Sequence, residues 1–162
     1  MSKSSQTPKP AGSASAAAGT ESGMVRTGIY WQREVYDLAR SAYVADLDAT
    51  PAGPEFFVDW LRQALEEHAE LTPKARADRA SDLPEVTPGR GFNQMYPLRV
   101  ELLEQVKEAI LGDRREFGRV SSRSAFVREA VLVAVETARR RRGGALPPPP
   151  NELPNRRPRR FG

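Results

Sequence analysis

The chain of 162 residues contains no cysteine, a single histidine and no long apolar run. Without cysteine it can form neither disulfide bonds nor the common structural zinc sites, and thiol catalysis is excluded. No apolar segment approaches the length of a membrane span and no charged-then-apolar leader is present, so we expect a cytoplasmic protein without a membrane segment. His68 falls on an apolar helical stripe, which favours a structural role. We therefore expect no enzymatic activity, no cofactor and no metal.

Large apolar side chains are scarce at both ends of the chain. Residues 1–23 are mostly Ser, Ala, Gly, Thr, Pro and Lys, and residues 143–162 combine a proline run with two Arg pairs. Such segments bury too little surface to offset the entropy lost on ordering, and a proline run favours an extended conformation. We expect a disordered N-terminal arm over 1–23 and a disordered Pro/Arg-rich tail over 143–162.

The net charge of +4 is distributed unevenly. From Arg139 to the end the chain has eight Arg and one acid, Glu152, so this segment carries +7 and residues 1–138 carry −3. A cationic end of this kind indicates a polyanionic partner, either nucleic acid or an anionic membrane surface, although a plain role in solubility stays open.

Between these ends, two segments show the same order of a short strand, a helix, a turn and a second helix. Apolar and polar residues alternate in MVRTGIYW and RGFNQMY, and each run is followed by a helical pattern with an apolar stripe. A polar stretch with three prolines, LTPKARADRASDLPEVTPG, separates them as a linker or a partly helical extension of the preceding helix. The boundaries are 24–71 for the first unit, 72–89 for the linker and 90–142 for the second unit.

An ungapped alignment of the two units pairs Trp31 with Tyr96 and Val35 with Val100. It also places Pro97 in the first turn of the second unit's first helix, a position that suits proline. The Phe-Val pairs of the two second helices align if the second turn is four residues longer, with a shift of one residue left open. Few aligned residues are identical, so the repeat is one of architecture.

A strand and two helices in about fifty residues cannot bury a core alone, so we expect the units to pair their strands over four packed helices. FNQMYPLRV, with an aromatic residue before a proline and a helical valine, and SRSAFVREAV at the start of a second helix resemble the ribbon-helix-helix family of Arc/MetJ/CopG-type repressors. GIYWQREVYDL matches in its aromatic residue, its REV and its leucine, with Gln32 in place of the proline. The resemblance implies a mainly α fold with a short antiparallel two-stranded β-ribbon, formed as a tandem ribbon-helix-helix pseudo-dimer with disordered tails.

The resemblance further implies that the ribbon enters the major groove of double-stranded DNA, where each base pair shows a distinct pattern of donors and acceptors. By alternation, the side chains that face away from the helices and could read bases are Arg26, Gly28, Tyr30, Gly91, Asn93 and Met95. Gln94 then falls on the helix-facing side, where an apolar residue is expected. A reversed alternation would make Gln94 a base-reading residue instead.

Two further sets of residues are candidates for contacts with phosphates. A helix N-terminus presents unpaired N–H groups, so the polar head of the last helix is the first set: Arg119, Ser121, Ser122, Arg123 and Ser124. Plain capping of that helix by Ser122 stays open beside this role. Non-specific contacts are expected from the second set, Arg139, Arg140, Arg141, Arg142, Arg156, Arg157, Arg159 and Arg160. The first four of these equally suit a helix C-terminus, whose dipole attracts cations.

The resemblance implies a sequence-specific DNA-binding protein at the nucleoid, in first place a transcriptional repressor or autorepressor that self-associates on repeated sites. Two alternatives stay open: a partition adaptor that binds centromere sites with a partner ATPase, and an antitoxin-like protein that binds a toxin. Lys3 and Lys9 do not resemble an arginine finger, and the tail offers a toxin few apolar residues. Because the first unit's TPAGP turn lacks serine and arginine, we expect the two halves to bind DNA unequally.

Overall fold

The computed structural model describes residues 23–49, 51–86 and 89–153. This part of the chain holds five helices and one two-stranded antiparallel sheet, which confirms a mainly helical fold with a short ribbon. In chain order the elements are β1 (Met24–Gln32), α1 (Arg33–Ala49), α2 (Phe57–Glu70), α3 (Pro73–Ser81), β2 (Gly91–Arg99), α4 (Val100–Phe117) and α5 (Arg123–Arg141). Among the described residues, no helix combines the length and the apolarity needed to span a bilayer. Residues 1–22 of the predicted arm and 154–162 of the predicted tail lie outside this description.

The ribbon consists of β1 and β2, which pair along their whole length with Gly28 opposite Met95 at the centre. One face of the ribbon packs on the helices, so buried and exposed residues alternate as predicted. The buried members are Thr27, Ile29, Trp31, Tyr96 and Leu98. Gln94 shares the alternation of these buried residues but is exposed.

The expected position of Pro97 in a first helical turn is wrong, because β2 continues through it to Arg99. The Pro97 carbonyl oxygen points to the outer edge of the ribbon, where Arg62 Nη2 and Nε donate to it at 2.8 and 3.2 Å. In an antiparallel ladder the N–H and C=O of one residue point the same way, so the missing N–H of Pro97 also faces the edge. The proline therefore costs the ribbon no strand-to-strand hydrogen bond.

β1 ends one residue and β2 three residues after the runs predicted from the sequence, so the correspondence between the two halves shifts by two residues. Val35 is only 1% exposed whereas Val100, its expected counterpart, is 40% exposed, so that pairing is wrong. Leu102 fills the buried position instead, at 2% exposed. Counted from the start of each helix, Val35 and Leu102 both occupy the third position. The pairing of Val35 with Val100 assumed that the second strand ends before Pro97, because proline is uncommon inside strands.

The four long helices form the core and pack mainly across the two halves of the chain. α1 lies against α5, and α2 lies against both α4 and α5, whereas contacts within each half are fewer. The buried positions of α2 recur in α5 seventy residues later, so Phe57 corresponds to Val127 and Leu61 to Val131. This is the one-residue shift that the sequence leaves open. The helices of each half therefore complete the core of the other half.

The segment between the two halves contains a separate short helix, α3. Thr72 caps it by accepting a hydrogen bond from the Ala75 N–H at 3.1 Å, and Pro73 occupies its first position. Arg76 of α3 is 2% exposed, and its Nε donates to Asp113 of α4 at 2.9 Å. The linker is thus docked on the second half of the chain by a buried ion pair.

The Arg76 guanidinium also satisfies the end of α2. It donates to the carbonyl oxygens of His68 at 3.2 Å, Ala69 at 3.1 Å and Leu71, and to that of Ala109 in α4 at 3.3 Å. The last carbonyls of α2 lie beyond the helix's own N–H donors and need such a partner, whereas the His68 carbonyl also accepts the Leu71 N–H at 3.2 Å. One side chain therefore joins α2, α3 and α4.

A second set of charges ties α2 to α5. His68 is buried, as expected for a structural residue, and its Nε2 lies 2.7 Å from Oε2 of Glu129. Arg119 donates to the other oxygen of this carboxylate. Burial raises the pKa of Glu129, but the hydrogen bond from His68 and the charge of Arg119 outweigh burial, so this pKa lies below its ordinary value. Glu129 is therefore a fixed anion in the helical body.

Residues 143–153, which we call the C-terminal strap, form the described part of the expected tail. The strap is extended and lies against α1: Leu146 and Leu153 pack on the core, and Arg40 Nη1 donates to the Pro150 carbonyl oxygen at 2.5 Å. Its proline run suits such an extended conformation. The first part of the segment expected to be disordered thus makes defined contacts.

Candidate nucleic-acid interface

The outward face of the ribbon brings together all six residues predicted to read bases. Tyr30 lies opposite Asn93, and Met95 lies opposite Gly28, while Arg26 lies opposite Pro97. Tyr30 and Met95 are 45% and 46% exposed, which is high for large apolar side chains in the middle of a sheet. Arg26 and Asn93 are also exposed. The face therefore combines two hydrogen-bonding side chains with two large side chains that can make apolar contacts.

Gly28 and Gly91 leave room on this face for neighbouring side chains, because they lack a Cβ. A Cβ on Gly91 would overlap the Tyr30 ring and the Trp31 carbonyl oxygen, and a Cβ on Gly28 would lie 3.4 Å from the sulfur of Met95. The tyrosine and methionine side chains thus lie close over the ribbon backbone. The glycines leave room for these side chains, and the side-chain chemistry of the face comes from Arg26 and Tyr30 of β1 and from Asn93 and Met95 of β2.

The ribbon carries no negative charge. Neither MVRTGIYWQ nor GFNQMYPLR contains Asp or Glu, although the chain has 21 acids. Its two cations are Arg26 and Arg99, both exposed and without an ion-pair partner among the described residues. The acids lie on the helices and connecting loops. A polyanion approaching the ribbon therefore meets positive charge and neutral polar groups.

Buried aromatic side chains hold the ribbon on the helices. Trp31 Nε1 donates to the Tyr96 hydroxyl oxygen at 2.9 Å, and the two rings meet edge to face. Phe57 of α2 packs against both of them. Burial raises the pKa of the Tyr96 hydroxyl well above its usual range, so the group stays protonated. The cluster fixes the helix-facing side of both strands, which leaves the other side to present its residues rigidly.

The polar head of α5 lies next to one end of this ribbon. Ser124 and Arg128 border a small cleft with Tyr30, and Ser121 borders a neighbouring cleft with Gln32. Arg123, at the first position of the helix, is exposed. The N–H groups of the first turn of α5 and the outward face of the ribbon thus lie side by side.

Plain capping of α5 by Ser122 is confirmed, since its hydroxyl accepts a hydrogen bond from the Ala125 N–H at 3.0 Å. Ser121 Oγ lies 3.1 Å from the Ser122 carbonyl oxygen. Arg119 is engaged by Glu129, with its Nη1 also 3.9 Å from Asp113. Of the two arginines predicted at this head, the structure therefore leaves only the one at position 123 without an anionic partner among the described residues.

The arginine run of residues 139–142 lies away from the ribbon. α5 starts beside the ribbon, and its nineteen residues correspond to roughly 28 Å of helix. At its far end Arg139 pairs with Glu136 at 2.7 Å, and Arg141 Nη1 lies 3.4 Å from Asp46 of α1. These contacts agree with the structural role that the sequence leaves open. The tail arginines from 156 to 160 lie outside the described residues.

The first half has no matching polar head at the other end of the ribbon. Phe56 precedes α2, makes no side-chain cap and is exposed. The neighbouring charges are those of Glu55 and Asp59, and Arg62 is held by Asp59 at 2.8 Å and by the Pro97 carbonyl. The two ends of the ribbon therefore differ in charge and in the capping of the adjoining helix.

The sequence pattern missed two kinds of residue at this interface. Gln32 and Arg99 belong to the outward face, but they follow the ends of the predicted strands. Arg128 lies beside the ribbon because it is four residues after Ser124 and so shares its side of α5. That spacing was the available signal for Arg128, whereas the extent of β2 was not readable from local pattern.

Comparisons with models of protein families, with curated proteins and with solved structures found no match to this chain. Within the described ranges there is also no group of three or more His, Cys, Asp or Glu side chains that could hold a metal ion. The interface is thus defined by its own geometry and charge.

Proposed function

We propose that this protein binds double-stranded DNA sequence-specifically by inserting its β-ribbon into the major groove, and that it acts as a transcriptional repressor or autorepressor. The observation that carries this proposal is the outward face of the ribbon, which is free of acids and has Arg26, Tyr30, Asn93 and Met95 side by side. A two-stranded ribbon fits the width of the major groove. The resemblance to ribbon-helix-helix repressors supports the same function.

We further propose that the two halves form a covalent pseudo-dimer of ribbon-helix-helix units. Each strand has nine residues and runs directly into a helix. Gly28 and Met95, which face each other, are both the fifth residue of their strand, as a two-fold axis through the ribbon centre requires. The packing of α1 on α5 and of α2 on α4 is reciprocal in the same sense.

The chemistry of the exposed side chains fits base recognition. An arginine such as Arg26 can donate two hydrogen bonds to guanine, and an asparagine such as Asn93 can pair with adenine in the same bidentate manner. Met95 offers apolar contact to a thymine methyl group. Since the outward residues of the two strands differ, the bound sequence should not be a perfect palindrome within one protein molecule.

The unequal ends of the ribbon support unequal contacts with the DNA backbone. At the α5 end, the capped helix N-terminus and Arg123 suit a phosphate. At the α2 end, Phe56 provides no side-chain cap and Asp59 is paired with Arg62, so the start of that helix offers no matching group. We therefore expect the α5 head to contact phosphates on its half of the site, and the exposed Arg99 to be the available cation at the other end of the ribbon.

To test the proposal, a bound sequence is first selected from a pool of random duplexes, and affinity is then measured by fluorescence anisotropy at two salt concentrations. We expect Arg26→Ala to reduce discrimination at one base position by about 1–3 kcal/mol. Arg123→Ala should weaken binding to all sequences alike and lower the slope of log K against log salt by about 0.9, the value for one phosphate contact.

Arg114→Ala is the matched control, because it removes the same charge from an exposed site on α4. Arg114 lies on a different helix from the α5 head, and it lines none of the described clefts that border the ribbon. The proposal would be rejected if no duplex were selected, if binding were independent of salt, or if the control lost as much discrimination as Arg26→Ala.

A further inference from the structure

A cleft lies between α2 and α5, beside α3, and has a volume of about 150 Å³. We call it the His68 cleft. Its apolar wall comes from both long helices and consists of Ala64, Leu71, Ala130, Val133 and Ala134. Its polar lining consists of Glu67, His68, Arg79 and Thr137. Because a cavity of this volume can hold benzene, the cleft has room for roughly six non-hydrogen atoms.

A second cleft between α2 and α5, the twin cleft, allows a comparison within the same chain. Its lining includes Gln63, Thr137 and Arg141, and its volume is about 100 Å³. By the seventy-residue offset between α2 and α5, Trp60 of the twin cleft corresponds to Ala130 of the His68 cleft. The same offset makes Ala138, which is buried, the counterpart of His68. An alanine therefore suffices for packing at this position, and the fold itself does not require a histidine there.

One ring nitrogen of His68 has no partner. The side chain is 1% exposed, and Nδ1 makes no hydrogen bond within the part of the chain that the structure describes. Nε2 donates to Glu129, because the pKa of this carboxyl is lowered and an ionised carboxylate can only accept. Nδ1 of the neutral ring is therefore an acceptor. Because an unsatisfied buried acceptor is costly, a donor placed in the cleft is stabilised there.

Two side chains of opposite charge also line the His68 cleft. Glu67 accepts a hydrogen bond from Gln63 Nε2 at 3.0 Å, and Arg79 is exposed. Neither Glu67 nor Arg79 forms an ion pair with another described residue. A carboxylate together with an accepting ring nitrogen suits an ammonium group, and a guanidinium suits a carboxylate. The apolar wall suits an aliphatic body.

We propose that the His68 cleft binds a small zwitterion with an aliphatic body, of the class of the free aliphatic α-amino acids. The ammonium group donates to His68 Nδ1 and pairs with Glu67, while the carboxylate pairs with Arg79. The aliphatic side chain lies against the apolar wall. This ligand binding goes beyond the proposed function and does not depend on it.

The single histidine of the chain permits a direct test in the full-length protein. Its two imidazole signals are the only ones of their kind in a ¹⁵N spectrum, and the protein is titrated with L-valine at neutral pH. We expect the Nδ1 signal to move as this nitrogen accepts a hydrogen bond, with a dissociation constant of about 1 mM or lower. The indole N–H of Trp60 reports on the twin cleft in the same titration and should not move.

Two further probes separate the charged groups of the ligand. Isobutylamine has the ammonium group and the aliphatic body of valine but no carboxylate, so it should move the Nδ1 signal and bind several-fold more weakly. Isovalerate has the carboxylate and the aliphatic body but no ammonium group. It should leave the Nδ1 signal in place.

Variants of the lining test the same contacts by calorimetry. Glu67→Gln should weaken L-valine binding about ten-fold or more, the usual value of a hydrogen bond to a charged group. Glu66→Gln is the matched control, because Glu66 is the neighbouring exposed carboxylate and lines neither cleft. His68→Gln retains an N–H for Glu129 but lacks Nδ1, so it should weaken binding to a similar extent. Val133→Phe fills the cleft from a half-buried position and should abolish binding.

The inference would be overturned if neither L-valine nor isobutylamine moved the Nδ1 signal, or if the Trp60 signal moved instead. Equal binding of isovalerate and L-valine, equal losses in Glu67→Gln and Glu66→Gln, or a proton on Nδ1 in the free protein would also contradict it. None of these results bears on the ribbon. A protein that selects a DNA duplex but binds no amino acid keeps the proposed function and loses this inference alone.

Discussion

The buried ion pair between Arg76 and Asp113 gives the sharpest prediction about stability. Both side chains are 2% exposed, and they join the linker helix α3 to α4. Removing one member of such a pair leaves an uncompensated charge in the interior, which typically costs 3–5 kcal/mol. We therefore expect Asp113→Ala to lower the free energy of unfolding substantially.

The expected magnitude lies at the low end of that range. In Asp113→Ala, Arg76 keeps its hydrogen bonds to the four backbone carbonyls at the end of α2 and in α4, so part of its charge stays solvated by the protein. We expect a loss of about 3 kcal/mol, which is a factor of more than a hundred in the unfolding equilibrium. For a domain of ordinary stability, about 5–15 kcal/mol, this is a large fraction.

The measurement is urea denaturation followed by the fluorescence of the two buried tryptophans, Trp31 and Trp60, and by circular dichroism. With a typical slope of about 1–3 kcal/mol per molar urea, the midpoint should fall by roughly 1–3 M. Lys74→Ala is the control on the same helix, because its pair with Asp78 is largely exposed, and it should cost less than about 0.5 kcal/mol.

A double variant separates the cost of an unpaired charge from the value of the pair. Arg76→Met with Asp113→Leu removes both charges and should be more stable than Asp113→Ala, since no unpaired buried charge remains. The reasoning would be refuted if Asp113→Ala cost less than about 1 kcal/mol. It would also be refuted if the double variant were the less stable of the two.

Two further predictions concern the ribbon and the dependence of stability on pH. Gly91→Ala should destabilise the fold by about 1–3 kcal/mol in the same urea assay, because its methyl group would overlap the Trp31 carbonyl. Gly28→Ala should cost clearly less, and equal losses would contradict the role of this close approach. The pKa of Glu129 is lowered from 4.5 in the folded state, so its contribution is full above pH 4.5 and is lost as pH falls below that value. The stability difference between the native chain and Glu129→Gln should therefore shrink between pH 7 and pH 3, and a difference that grows would contradict it.

Local pattern was sufficient for much of this protein. The alternation in MVRTGIYW and RGFNQMY predicted two half-buried strands, and the structure pairs them as an antiparallel ribbon with the predicted face outward. The cap at Ser122 followed from a serine placed before an apolar helical stripe, and α5 covers the predicted segment. Such features are set by side-chain period and by hydrogen bonds between residues close in the chain, and both can be read along the sequence.

The remaining features depend on contacts between residues far apart in the chain. Pro97 continues a strand because it lies at the ribbon edge, where Arg62 donates to its carbonyl oxygen. Arg119 donates to Glu129 and is therefore not free for the phosphate contact that the sequence predicts. Neither partner can be identified from spacing.

The linker and the strap are also held by partners that spacing in the sequence does not identify. Thr72 and Pro73 are readable as a helix start, but the docking of α3 depends on a carboxylate thirty-seven residues beyond Arg76. The strap has the composition of a disordered tail, and it is Arg40, more than a hundred residues earlier, that binds it. The sequence by itself determined the helices and strands and the chemistry of the ribbon face. The tertiary structure decided which charged side chains have ion-pair partners, because pairing energies depend on distance in space and on burial.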